Sequence, residues 1–252
     1  KEEISSDDIM KHIRFLADDK RAGRYPGTRE SRDVISYLIN NLKSYGVQPG
    51  GESGSFKQTF SILDSVKLGE NNSLSINNKP MNLKEDYVPL WFSGNAALSS
   101  DIVFAGYGFN ILTDSLVWND YKNLDVEGKW VMIMRHSPER ENPHSVYAPY
   151  SDLHKKMIEA RDRGAAGVLF ISQVEDTTLI PFRYISGYSK SGIPAIHLSN
   201  DIADDILNSV GTSRKIIQDK MNRGLETISF NIPNINVSAN IELKNIYSRA
   251  AN

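Results

Sequence analysis

The chain has no cysteine among its 252 residues. That absence removes disulfides, thiolate-held zinc, iron–sulfur clusters and a cysteine nucleophile together, leaving histidine and carboxylates as the strong metal donors. A cationic excess is also lacking: 29 Lys and Arg stand against 31 Asp and Glu, a formal net charge of −2. Binding to phosphates needs a clustered positive field, so nucleic acid is not an expected partner. No apolar run approaches the ~20 residues of a membrane span, and mean hydropathy is −0.39, so no transmembrane segment is expected. There is no Gly-x-Ser-x-Gly elbow and no Gly-Lys-Ser/Thr phosphate loop. Gly106-Tyr107-Gly108 lacks the third glycine of a dinucleotide fingerprint because position 111 is Ile, so it reads as a tight strand exit. The opening Lys1-Glu2-Glu3-Ile4-Ser5-Ser6-Asp7-Asp8 has no apolar signal-peptide centre; any secretion signal is absent or already removed.

What is present divides into blocks. Residues 1–50 read as a helical pair. Ile9, Ile13 and Leu16 share a face after a Ser6 cap, then Val34, Ile35, Leu38, Ile39 and Leu42 form a stripe between Thr28 and the Tyr45-Gly46 stop. The tract Gln48-Pro49-Gly50-Gly51-Glu52-Ser53-Gly54-Ser55 is a linker or boundary. Phe56 to Ile62 then reads as a strand, and Leu74–Ile76 with Met81–Leu83 as a hairpin about Asn77-Asn78. Four apolar runs, at 102–105, 130–134, 167–171 and 194–198, do not alternate, as expected of strands covered on both faces. A helix over Ser151–Arg163 lies between the second and third, making a βαβ unit, and a helical region at 200–223 breaks at Gly211-Thr212. Alternation at Ile228, Phe230, Ile232 and again from Ile235 to Leu243 predicts a long half-buried antiparallel strand.

Five histidines are the candidate chemical centres. Asp8 and His12 lie one helical turn apart and read as a surface pair, and Asp152 with His154 as a helix start favoured by the dipole. His197 inside its apolar run reads as a hydrogen-bonded core histidine. His136, Glu139, Glu141 and His144 form the densest His and carboxylate cluster, in a loop after an apolar strand, where sites of parallel sheets are found.

Several segments together resemble a known arrangement. Ile13-Arg14-Phe15-Leu16-Ala17-Asp18-Asp19, Arg21-Ala22-Gly23-Arg24-Tyr25-Pro26-Gly27-Thr28 and Tyr45-Gly46-Val47-Gln48-Pro49 resemble the opening of secreted zinc aminopeptidases related to glutamate carboxypeptidase and the transferrin receptor. The segments 101–108, Trp118-Asn119-Asp120-Tyr121, 124–131, Arg163–Leu169 and Ile193–Ile196 resemble the protease-associated (PA) domain inserted in those enzymes. The resemblance implies an α/β, mixed α+β, fold: a PA-type β-sandwich or barrel-like core with flanking helices. It implies peptidase-domain helices at 1–50, a PA-like insert at 56–225, and a returning strand of an incomplete peptidase domain at 226–252.

The family's two zinc ions are held by a His-x-Asp pair, a bridging Asp, a Glu-Glu pair, a further carboxylate and a distal His. No histidine in this sequence is followed by x-Asp, and the one Glu-Glu pair is Glu2-Glu3. The expectation is therefore an excised accessory region with neither catalytic nor metal residues, inactive alone, of an extracytoplasmic zinc-dependent exopeptidase. Its partners would be the parent's peptide substrates and its own missing peptidase domain. Arg24, Tyr107, Trp118, Tyr121, His136 and His144 are the candidates for its cleft or docking surface, and Tyr147, Tyr150, Tyr184 and Tyr188 are further candidate contact aromatics. Two other readings stay open: a free-standing PA-like module that binds peptide or protein, and a stand-alone hydrolase using the His136 to His144 loop.

Overall fold

A computed structural model describes residues 4–224 and 226–252; the Glu2-Glu3 pair lies outside the described residues. Two compact units are present, Lys1–Ser65 with Asn245–Asn252, and Val66–Lys244.

In the smaller unit, α1 (Ser6–Ala17) is capped by Ser5, one residue before the expected Ser6. The reason is reciprocal bonding: the Ser5 hydroxyl accepts from Asp8 N at 3.2 Å and the Asp8 carboxylate accepts from Ser5 N at 3.1 Å. A cap at Ser6 would put Ile9, which cannot accept, in Asp8's role. Helix α2 (Arg29–Ser44) starts at Thr28 as expected. It ends with Gly46 at φ +75°, where the Val47 amide donates to the Leu42 carbonyl at 3.1 Å. The expected apolar stripes form but are largely uncovered: Ile9 is 50 % exposed, Ile13 48 %, Leu38 43 % and Leu42 38 %. A two-stranded sheet pairs β1 (Thr59–Leu68) with the last strand, β12 (Leu243–Ala251).

The larger unit is a mixed α/β structure around one eight-stranded sheet. Its strands are β2 (Ser73–Ile76), β3 (Lys79–Pro80), β4 (Tyr87–Pro89), β5 (Ala96–Ala105), β8 (Trp130–Met134), β9 (Gly167–Ile171), β10 (Ala195–Leu198) and β11 (Ser229–Ile241). A separate small hairpin pairs β6 (Asn110–Leu112) with β7 (Val117–Asn119). The order is β3-β2-β11-β5-β8-β9-β10-β4, with β5, β8, β9 and β10 mutually parallel. These four contain the four apolar runs, and every residue of β8, β9 and β10 is buried. Helix α3 (Leu153–Arg161) crosses from β8 to β9 and delivers Met157 and Ala160 to a core with Val131, Ile133, Val168 and Phe170. Helices α4 (Asn200–Asn208) and α5 (Arg214–Gly224) flank the break at Gly211, φ +75°.

Three element readings change. The strand expected from Phe56 begins at Thr59 and runs to Leu68. The second hairpin strand is Lys79–Pro80, not Met81–Leu83, because Asn77 (φ +48°) and Asn78 (φ +64°) make a two-residue turn that pairs Ile76 directly with Lys79. The tail is one strand across Pro233, its register against β5 shifting between Ile232 and Asn236. Because β11 pairs with β5 from Ser229 to Ile241, it lies within the larger unit, which divides from the smaller near 65 and 244. Among the described residues no helix is long and apolar enough to cross a membrane.

The two units differ in how much their apolar residues are buried, and substitution reads this out. Met157→Ala, at a fully buried site, is expected to lower unfolding free energy by about 2–5 kcal/mol in urea titration. Leu38→Ala, on the uncovered α2 face, is expected to change it by less than about 1 kcal/mol.

Candidate functional site

The carboxyl ends of β8 and β9 carry a polar layer formed by loops 135–142 and 172–176 with α5 beside them. Crevices at this end of parallel strands are where such sheets bind ligands. Asp176 is the hub. It accepts from His136 Nε2 at 2.8 Å and pairs with Arg140 at 3.2 Å and Arg135 at 3.6 Å. Burial would raise the Asp176 carboxyl, but the His136 bond and the two guanidinium groups outweigh it and hold it below the usual range. Burial lowers the basicity of His136 despite that carboxylate, with Arg135 and Arg140 adding to the effect. His136 sits at φ +61°, an uncommon conformation for a residue with a side chain, and its carbonyl accepts from Lys156 Nζ at 2.6 Å. Arg214 grips both Asp204 oxygens at 2.9 and 2.8 Å and reaches Asn200 at 2.9 Å. Beside this layer, Glu139, Arg140, Glu175, Gln218 and Asn222 line an open cleft of about 300 Å³.

Ser172 and His197 lie 3.0 Å apart and look like a nucleophile and its base, but the proton directions are wrong. His197 Nδ1 accepts from the Ile180 amide at 3.0 Å, so Nε2 carries the hydrogen and donates to Ser172 Oγ. Arg135 donates to the same oxygen at 3.1 Å. A base that is already protonated on the facing nitrogen cannot take the serine proton. His197 is the hydrogen-bonded core histidine its apolar run predicts, 0 % exposed, its pKa lowered to about 3 by burial and then by Arg135.

The aromatic candidates are interior. Tyr107 is 0 % exposed, Trp118 2 % and Tyr121 7 %, and Tyr147 is buried as well, so the expected exposed contact surface does not exist at these positions. The cause is packing: Tyr107, Phe109, Trp118 and Tyr147 stack and edge against one another, with Lys156 Nζ 5.2 Å from the Tyr107 ring and 4.8 Å from the Phe109 ring. Tyr107 Oη accepts from Gln173 at 2.7 Å and donates to Asn222 at 2.6 Å, and burial raises its pKa. Tyr150, Tyr184 and Tyr188 are half-buried, and Tyr188 donates to Asp152 at 2.8 Å.

The remaining candidates are dispersed. His144 is exposed and is not drawn into the Asp176 hub with His136. Arg24 is exposed in the smaller unit, its guanidinium donating to the Leu16 carbonyl. His12 bonds Tyr37 at 2.7 Å and Tyr45 at 3.1 Å, while Asp8 serves the α1 cap. His154 bonds the Ser189 carbonyl at 2.9 Å. Among the described residues no three His, Asp or Glu side chains converge, so this donor set does not fit zinc.

Sequence reasoning passed over Asp120, Lys156, Asp176 and Arg214. One signal was available for Lys156: it shares a helix face with the small apolar Ala160, four residues on, and both are buried.

Against known proteins, the PA domain family model matches residues 95–206, and the mixed α/β unit is consistent with a PA domain fold. Among solved structures, an aminopeptidase from Aneurinibacillus sp. strain AM-1 is 17 % identical over 98 % of this chain and 46 % of its own, with a TM-score of 0.48. BSAP, a zinc aminopeptidase from Bacillus subtilis, is 15 % identical over 96 % and 44 %, at 0.41. A peptidase M28 precursor from Shewanella amazonensis SB2B is 16 % identical over 97 % and 51 %, at 0.37. The chain thus spans about half the length of the solved structures it matches. No curated protein matches it.

Because His197 is buried neutral, its native pKa lies below its unfolded value near 6.5, so its stability contribution is full above that pH and lost as pH falls toward 3. Wild type should lose up to roughly 5 kcal/mol from this group over that window. His197→Gln, which keeps a donor and an acceptor, should flatten the fall in thermal midpoint between pH 7 and pH 4.

Proposed function

We propose that the chain is the accessory region of a zinc-dependent aminopeptidase or exopeptidase, in which the PA domain shapes substrate access or docks protein and takes no part in bond cleavage. The observation that carries this reading is the PA match over residues 95–206, on a unit whose Ser172, His197, His136 and Asp176 are already committed to one another or to backbone. The opening segments Ile13–Asp19, Arg21–Thr28 and Tyr45–Pro49 support a peptidase parent by their resemblance. The uncovered apolar stripes of α1 and α2 support it also, since surface of that kind belongs against other protein.

The parent's peptide substrates, its relation to glutamate carboxypeptidase and the transferrin receptor, an extracytoplasmic location and a peptidase domain as this region's partner are parts of the same proposal. Zinc would supply the nucleophilic water of such an enzyme. The described residues offer it no donor set. In this reading the region's own contribution is shape: densely hydrogen-bonded loops at the ends of β8 and β9.

Purified chain is expected to hydrolyse no aminoacyl p-nitroanilide and to hold less than one equivalent of zinc by elemental analysis. Reading the coding sequence that contains these residues should reveal a His-x-Asp and a later Glu-Glu pair. Hydrolysis that requires tightly bound zinc and disappears in His136→Ala or His144→Ala would overturn the reading in favour of a stand-alone hydrolase.

A further inference from the structure

The larger unit has a second concavity. It is a groove of about 570 Å³, lined by Val66, Lys67, Lys84 and Val88 on one side and by the loop from Leu179 to Phe182 on the other. Val66 and Val88 are 6 % and 4 % exposed and make an apolar floor. Lys67 and Lys84 are exposed and, among the described residues, pair with no carboxylate and share the lining with no acidic residue. The groove is therefore apolar with an uncompensated double positive charge, which is complementary to an apolar chain bearing one carboxylate.

The walls are fixed before any ligand arrives. The loop is tied down by the Ile180 amide on His197 Nδ1 at 3.0 Å, and just upstream by Asn200 Nδ2 on the Asp176 carbonyl at 2.8 Å. Lys84 is held at φ +73° by its amide on the Tyr87 carbonyl at 2.8 Å. The adjoining strand β4 is poorly suited to adding a strand, because Pro89 has no N–H and the Tyr87 carbonyl is taken. The loop differs: among the described residues the Leu179 and Phe182 amides donate to no backbone carbonyl, which leaves donors in the groove-lining segment for a peptide's carbonyls. A fatty acid has no carbonyl beyond its own carboxylate to use them, and a peptide does.

We propose that this groove binds the C-terminal end of an apolar peptide, its terminal carboxylate between Lys67 and Lys84 and its last side chains on Val66, Val88 and Phe182. The assignment goes beyond the accessory role and does not rest on it; loss of this binding leaves the peptidase reading standing, and the reverse holds.

The test is calorimetric titration of the whole chain with acetyl-Leu-Phe-Leu as free acid, the same peptide as C-terminal amide, and decanoate. The free acid is expected to bind, the amide at least about fivefold more weakly, and both lysines reversed together (Lys67→Glu with Lys84→Glu) to weaken the acid by about tenfold or more. The control Lys79→Glu with Lys122→Glu, the same change in net charge at other exposed sites, should leave binding unchanged, and matching thermal midpoints should show both variants folded. Equal affinity for acid and amide, equal or tighter binding of decanoate, no binding of the acid, or equal loss in the control would each overturn the proposal.

Discussion

The Asp120 carboxylate is wholly buried, and the interior of the larger unit is arranged around keeping it there. It accepts from the Phe109 amide and the Trp118 indole, each at 2.9 Å, within electrostatic reach of Lys156. Burial nonetheless pushes its pKa up to about 7, against the pull of those bonds and that cation. Lys156 is equally buried; loss of water lowers its basicity, and its Nζ donates to the carbonyls of Met134 and His136 where β8 ends. A buried charge without partners is far costlier than a buried methyl group, so each neighbour is constrained in turn. Gly106 must be glycine: at φ +45°, a Cβ there would stand 2.5 Å from Asp120 Oδ1. The strand exit, the β6–β7 hairpin, the end of β8 and helix α3 are therefore fastened to one another through two buried ionisable side chains.

This requirement separates structural polarity from available polarity. At the ends of β8 and β9 nearly every donor meets an acceptor, and the Ser172–His197 pair shows how that satisfaction removes chemistry while leaving its outline. The one buried nitrogen of that layer without a partner is Arg135 Nε, among the described residues. Lys67 and Lys84 are the opposite case. Among the described residues they have no counter-charge over their apolar floor, and the same electrostatics that make the first cluster a brace make the second a receptor.

Periodicity made most of the frame legible. The four apolar runs became the four parallel strands, and Gly46, Gly164 and Gly211 each sit at positive φ where a helix was read to stop. The core histidine 197 was legible for the same reason: a polar residue inside a strand covered on both faces has to be bonded. The aromatics were misread because residue type does not encode exposure. Tyr107 and Trp118 follow a strand exit, as loop contacts do, and only the fold turns that loop inward over Lys156. Asp176 and Arg214 lie far apart in sequence from their partners His136 and Asp204 or Asn200, and short-range spacing cannot report such pairings. Ser5 displaced Ser6 as the cap for a reason the sequence did contain, the acceptor three residues later.

The central claim is that the buried polar groups of the PA-like unit act as one structural brace. A double-mutant cycle between Asp120→Asn and Lys156→Met, read as unfolding free energy, tests it most directly. The account predicts single losses that do not add, with a coupling of about 1–3 kcal/mol between the two positions. Additivity within about 0.5 kcal/mol, with the double variant as destabilised as the sum of the singles, would contradict it.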